Sequence, residues 1–287
     1  MVDYTLILLY RSFRFLQTFI TIQVKINYNT FMIYILFLIC TLIVLCFALY
    51  QVQHFMIFIP KYYREDGICP LCQYLSIVTP ENIELEGVVY EPKDPKATLL
   101  FFGGRSDDSV ALINKLSQNY PTYRVVTFNY RSFGKSAGSA SEKNILQDGV
   151  YIAHIIEKNY GAFHLLGFSL GSSVATYIAA HHKVQNLFLV GAFSSIEDLI
   201  KQKYKLPRVC IRYRFNTKKY IQNVSAPVVF FGSHADTITP VDGLQELYAM
   251  SKNPKGYYIF DTPSHKELLC YSKIVTQIHK VIDETSV

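Results

Sequence analysis

The sequence predicts an α/β protein, a mostly parallel sheet with helices on both faces, preceded by one membrane-crossing helix. Three observations predict it. Short apolar runs alternate with helical stretches from about residue 81 onward. Among them, Gly161 to Ala180 (GAFHLLGFSLGSSVATYIAA) passes from a buried-strand pattern through a glycine turn straight into a helix. Ahead of all this, Phe31 to Tyr50 runs twenty residues without a charge.

That run is long enough to cross the hydrocarbon of a bilayer as a helix. A core helix would carry a polar face, and this one is apolar all round. No small-residue cleavage site follows at Leu49-Tyr50-Gln51-Val52-Gln53, so the expectation is an uncleaved anchor over 31–59. Residues 1–30 carry Arg11 and Arg14 within an apolar stretch, which makes a second span costly. They read either as an interfacial segment or as an over-extended start ahead of Met32. Counting Arg11, Arg14 and Lys25 against Lys61 and Arg64 favours a cytoplasmic N-terminus, and a start at Met32 would reverse that. Residues 60–80 read as a linker, and 81–287 as the catalytic domain.

Half of the 287 residues are hydrophobic, enough for one substantial core beside the anchor. Cys40 and Cys46 fall inside the anchor as small hydrophobes, and Cys210 and Cys270 stand alone. Cys69-Pro70-Leu71-Cys72 has no second ligand pair at zinc spacing and reads as two thiols or one local disulfide, followed by a strand-like stretch. No metal and no organic cofactor is expected.

The elements follow in order. Ile83 to Tyr90 is an early strand ended by Pro92, and Thr98 to Phe102 (TLLFF) has the fully apolar character of a central parallel strand. A Gly-Gly turn leads to a helical stretch, Val110 to Asn119. Tyr123 to Tyr130 is a strand and Glu142 to Asn159 a helix, which leads into the strand His164 to Phe168. Asn186 to Val190, Pro227 to Phe231 and Tyr257 to Phe260 are further strands, and Ser272 to Asp283 is a last helix. In such sheets the chemistry gathers at the carboxyl ends of the strands.

Gly167-Phe168-Ser169-Leu170-Gly171 is a G-x-S-x-G at such an end. The turn holds the serine in strained backbone, and the flanking glycines remove side chains that would collide. A serine hydroxyl needs a base, and histidine is suited to the task near neutrality. Of eight histidines, His234 and His265 lie in loops just after strands, and His265 is the expected base. Asp236, five residues past Phe231, is the expected orienting acid. The order Ser, Asp, His after successive strands is the pattern that unites them.

With these motifs, the loop Phe128-Asn129-Tyr130-Arg131-Ser132-Phe133-Gly134-Lys135-Ser136 and Gly232 through Asp236 to Pro240, the chain from about Glu81 to Ile282 resembles the α/β-hydrolase superfamily. It looks most like the membrane-anchored serine hydrolases with one N-terminal helix and a small cap. The resemblance implies Ser169 as nucleophile, Asp236 as orienting acid and His265 as general base. It implies an oxyanion hole from the backbone N–H of Leu170 and of Arg105, with Gly103 standing where the family commonly has histidine.

The expected activity is hydrolysis of an ester or thioester, on an acyl lipid or acylated protein, through an acyl-enzyme. The alternatives are a serine peptidase of the same fold and a catalytically silent membrane scaffold. Lys201, Lys203, Lys205, Arg208, Arg212, Arg214, Lys218 and Lys219 crowd a stretch without an acid. They read either as a contact for anionic lipid or as a solvated basic face. No nucleic-acid motif accompanies them.

Overall fold

The computed structural model describes residues 4–62, 67–205 and 208–285, apart from the side chains of 4–10, 26, 203 and 204. Arg64, used above, lies outside the described residues, as does the side chain of Lys203. The chain divides into one unit ending at Val52 and a second beginning at Gln53.

The first unit is nearly all of one helix, α1 (Tyr4–Ile57). The sequence reading separated 1–30 from the anchor, but the helix runs through that boundary unbroken. Its best window reaches a mean hydropathy of 3.0 with none of it buried, so by length and composition it can cross a membrane. Polar side chains inside it are satisfied locally: the hydroxyls of Thr18, Thr21 and Thr41 donate to carbonyls one turn back.

Among the described residues, the second unit is built on eight strands. β1 (Cys72–Val78), β2 (Glu84–Tyr90), β3 (Thr98–Phe102) and β4 (Arg124–Phe128) form one half. β5 (His164–Phe168), β6 (Leu187–Val190), β7 (Val228–Ser233) and β8 (Pro254–Phe260) form the other. Their order is β1-β2-β4-β3-β5-β6-β7-β8, with β1/β2 and β2/β4 antiparallel and every other pair parallel.

The stretch read as a linker, 60–80, therefore contributes an edge strand, β1, along the whole of β2. Its outer face is exposed and its polar residues are scattered, so it lacks the apolar run of an interior strand. Cys69 and Cys72, at its start, are joined as a disulfide. β8 begins three residues before the apolar run because Pro254, which cannot donate to a ladder, is tolerated as the first residue of an edge strand.

Strand alternation sorts the core into two layers. Leu100, Phe102 and Leu165 face one side, under α3 (Glu142–Tyr160), α4 (Leu170–His181), α6 (Thr217–Ile221) and α7 (Val241–Met250). Leu99, Phe101 and Leu166 face the other, under α2 (Ile113–Asn119) and α9 (Ser272–Thr285). α5 (Ile196–Tyr204) packs Ile196 and Leu199 on the first layer, and a short α8 (His265–Leu268) sets Leu268 in the second. After β4 the chain crosses to β5 on the opposite flank of β3, so the switch of direction lies between β3 and β5. Ligands of open α/β sheets bind at that point.

Candidate active site

Ser169 follows β5 at this switch point and is the N-cap of α4, with φ 52° and ψ −118°. A serine takes such angles only where its surroundings enforce them. Here they are enforced by close approach. A Cβ on Gly171 would lie 2.0 Å from the carbonyl oxygen of Phe102, and one on Gly167 would lie 2.5 Å from that of Gly171. The serine N–H donates to Val190 O at 3.0 Å, and the Ser172 hydroxyl donates to Ser169 O at 2.6 Å. The turn is thus pinned to β6 on one side and closed by its own helix on the other.

His265 opens α8, and a reciprocal capping box between Ser264 and Glu267 fixes that start. Its Nε2 lies 2.9 Å from Ser169 Oγ and its Nδ1 lies 2.7 Å from Asp236 Oδ2. The ring packs at 5.0 Å against Phe168. Gly191 leaves room beside it, since a Cβ there would lie 3.3 Å from His265 Cε1 at a φ of +57°.

Asp236 has no exposed side-chain surface. Burial pushes its carboxyl up, but hydrogen bonds from His265 and Thr239 outweigh that and hold it below the ordinary carboxylate range. The backbone N–H groups of Ile238 and Thr239 donate to Oδ1 at 2.8 and 2.9 Å, while the Thr239 hydroxyl donates to Oδ2 at 2.6 Å. The structure therefore joins Ser169, His265 and Asp236 in one hydrogen-bonded line. An imidazole held this way can accept a proton from the hydroxyl while the carboxylate fixes its tautomer. His234 is exposed in the same loop as Asp236 and stands outside the line.

Leu170 is the first residue of α4, where backbone N–H groups have no partner within the helix. Arg105 follows the Gly103-Gly104 turn at the end of β3. That turn adjoins the serine: a Cβ on Gly104 would lie 3.4 Å from Ser169 Cβ and 2.9 Å from Asp107 Oδ2. The Arg105 guanidinium donates to the Met56 carbonyl, and Ile59 N–H donates to Arg105 O at 3.0 Å.

Two neighbours of the site escaped the sequence reading. Thr239 touches both partners of the acid–base pair, with its hydroxyl 3.2 Å from His265 Nδ1. Asp107 accepts the Gly104 N–H at 2.7 Å and fills the space that a side chain on Gly104 would need. Burial raises the Asp107 carboxyl above its ordinary range, against the Gly104 hydrogen bond and the charges of His265, Lys61 and Lys266. The signal for Asp107 was the Gly-Gly pair itself, where a turn without side chains makes room for one arriving from elsewhere. Nothing marked Thr239 among ordinary loop threonines.

The basic stretch is less bare than its sequence. Arg208 and Arg214 pair with Glu197 at 3.2 and 3.6 Å, and Lys218 pairs with Asp198 at 2.7 Å and Glu246 at 3.5 Å. Lys201, Lys205 and Lys219 are exposed, and Arg212 stacks 5.0 Å from the Tyr213 ring. An open cleft of about 580 Å³ lies against this stretch, lined by Asp198, Lys201, Lys218 and Glu246, and includes none of the three aligned side chains.

Comparison with known proteins agrees with this architecture. The family model of the alpha/beta hydrolase fold matches residues 98–220. The chain is 24% identical over 205 residues to protein R595 of Acanthamoeba polyphaga mimivirus, covering 63% of this chain and 70% of that one. It is 26% identical over 171 residues to the lysophosphatidylserine lipase ABHD12 of Danio rerio, covering 51% of this chain and only 45% of that relative. Among solved structures it resembles the Pyrococcus furiosus esterase Pf2001, with a TM-score of 0.62 at 19% identity, over 78% of this chain and 96% of that one. In sheet order, in the glycine turn at the end of β5 and in these likenesses, the chain has the α/β-hydrolase fold.

Proposed function

We propose that the protein is a membrane-tethered serine hydrolase that cleaves an ester or thioester of an acyl lipid or acylated protein. The observation that carries this is the unbroken line from Ser169 Oγ through His265 to Asp236, with every link between 2.7 and 2.9 Å. In this reading Ser169 Oγ attacks the carbonyl carbon as His265 Nε2 takes its proton. The N–H groups of Leu170 and Arg105 receive the charge that develops on the carbonyl oxygen. The tetrahedral species collapses, His265 returns the proton to the departing alcohol or thiol, and the acyl group stays on Ser169. Water then repeats the sequence with His265 as base and releases the acid.

The membrane part of the proposal rests on α1 and on where the second unit begins. Gln53 donates to Cys210 O at 2.5 Å and accepts from Arg212 N–H at 2.9 Å, while Arg105 reaches Met56. The chain thus enters the catalytic unit beside the turn that adjoins Ser169, which favours a substrate drawn from the bilayer. Val209, 84% exposed, and the basic side chains of 201–219 would meet anionic head groups at that surface. ABHD12, named a lysophosphatidylserine lipase, is consistent with an acyl-lipid substrate.

The test is labelling of the full chain in detergent micelles with a fluorophosphonate, followed by ester hydrolysis. Wild type should label at Ser169, and Ser169→Ala should lose both labelling and turnover while keeping its thermal midpoint. His265→Ala should slow labelling by at least about a hundredfold. A folded wild-type protein that does not label, or a Ser169→Ala variant that still turns over, would overturn the proposal in favour of a scaffold or a different nucleophile.

A further inference from the structure

At the amino end of the sheet, far along α4 from Ser169, three side chains with zinc-ligand chemistry converge. His154 and Glu157 sit one turn apart on α3 and so share a face of that helix. His182, the C-cap of α4, comes in from the neighbouring helix. One donor atom from each lies within 4.8 Å of the other two.

The imidazole of His182 is held rather than merely present. Its backbone N–H donates to Ile178 O at 2.8 Å, and its ring stacks on Phe163 with centroids 5.7 Å apart and planes 29° from parallel. His154 meets it edge-on. The Nε2 atom is buried and makes no hydrogen bond, yet it faces Glu157 Oε2 at 3.2 Å. A bare Nε2 lone pair would be repelled by this carboxylate, so the contact calls either for a proton on Nε2, which a neutral imidazole can carry and donate, or for a metal ion between the two atoms. The proton satisfies Glu157 but leaves the third donor, His154, without a part. A metal ion uses all three.

We infer that His154, Glu157 and His182 form a zinc site that clips the carboxyl-terminal ends of α3 and α4 together. Two imidazole nitrogens and one carboxylate oxygen suit zinc, with water as the fourth ligand. Tetrahedral zinc with bonds of about 2.0–2.1 Å brings its donors about 3.4 Å apart, which the two exposed side chains reach by a change of rotamer around the fixed His182. The helix so clipped carries Ser169 at its other end, so the ion would steady the nucleophile's helix without touching the reaction.

The experiment uses the full chain in detergent micelles, stripped with chelator and then titrated with zinc. Bound metal is measured by mass spectrometry after dialysis, and stability by the thermal midpoint. Wild type should bind one equivalent more than His154→Ala, and saturating zinc should raise its midpoint by about 5 °C. His154→Ala and Glu157→Gln should lose that rise, and His154, being exposed, can be removed without unfolding the chain. Equal zinc uptake in wild type and His154→Ala would overturn the site. So would a midpoint that depends on pH through a His182–Glu157 ion pair but is indifferent to zinc.

Discussion

Two histidines sit at opposite ends of one sheet, and they could hardly be used more differently. His265, past the carboxyl end of β8, has both ring nitrogens engaged, Nδ1 by Asp236 and Nε2 by Ser169, with part of its side chain open to solvent. His164, the first residue of β5, is fully buried. Its Nδ1 lies 3.1 Å from the side-chain amide of Asn186, and its Nε2 has no hydrogen-bond partner among the described residues. Burial and the charge of Lys255 push its pKa down to about 4. A residue type near a serine in sequence therefore says little. What makes an imidazole useful is a carboxylate on one nitrogen, a hydroxyl on the other, and access to water.

The comparison breaks most forcefully at the carboxylate. Asp236→Asn keeps the shape but removes the charge that fixes the tautomer and stabilises the imidazolium. Turnover should fall by about 10³–10⁴-fold with little change in KM, as steady-state kinetics on a soluble ester would show. His164 offers the next effect, on stability rather than rate. The folded state keeps this ring neutral, whereas in the unfolded chain it titrates near 6.5. The unfolded chain thus takes up the extra proton, and stability should be lost as pH falls from about 6.5 toward about 4, by about 3 kcal/mol in all. His164→Gln should remove that slope in denaturant titrations run across the range; an unchanged slope would mean that another group is responsible.

A smaller effect is expected at Thr239, whose hydroxyl donates to the same carboxylate oxygen that faces the imidazole, 3.2 Å from His265 Nδ1. Thr239→Val should lower kcat about tenfold and raise the pH at which activity appears. The carboxylate would then lose a hydrogen bond that favours its charged form. A kcat and pH profile identical to wild type would make the threonine a bystander.

How far the sequence could be read follows the same division. Ser169, Asp236 and His265 were legible because each stands a fixed few residues past an apolar strand, and strand ends are visible in one dimension. The alternation of strands and helices was legible for the same reason. Thr239 and Asp107 were not, since their roles depend on what folds against them from another loop. The acids that pair with Arg208, Arg214 and Lys218 were hidden too: Glu197 and Asp198 just precede the basic stretch and Glu246 lies on a later helix. β1 was legible only as a strand-like stretch within a linker, because an edge strand with a wet face needs no apolar run, and the full length of α1 was hidden because two arginines do not by themselves stop a helix.

The end of α1 carries a practical consequence for anyone who would separate the second unit from the long apolar helix. Composition suggests cutting at Pro60, where the apolar stretch stops. Yet Phe58 is 2% exposed, with its ring 4.9 Å from that of Tyr213 and 6.1 Å from that of Phe215. Gln53 bridges the backbone at Cys210 and Arg212. A chain truncated at Pro60 would lose this plug, at a cost of about 3 kcal/mol for the phenylalanine alone, and leave two aromatic rings facing water. One truncated at Gln53 would keep it. The natural seam for a water-soluble version therefore falls inside the helix, a turn before the helix ends.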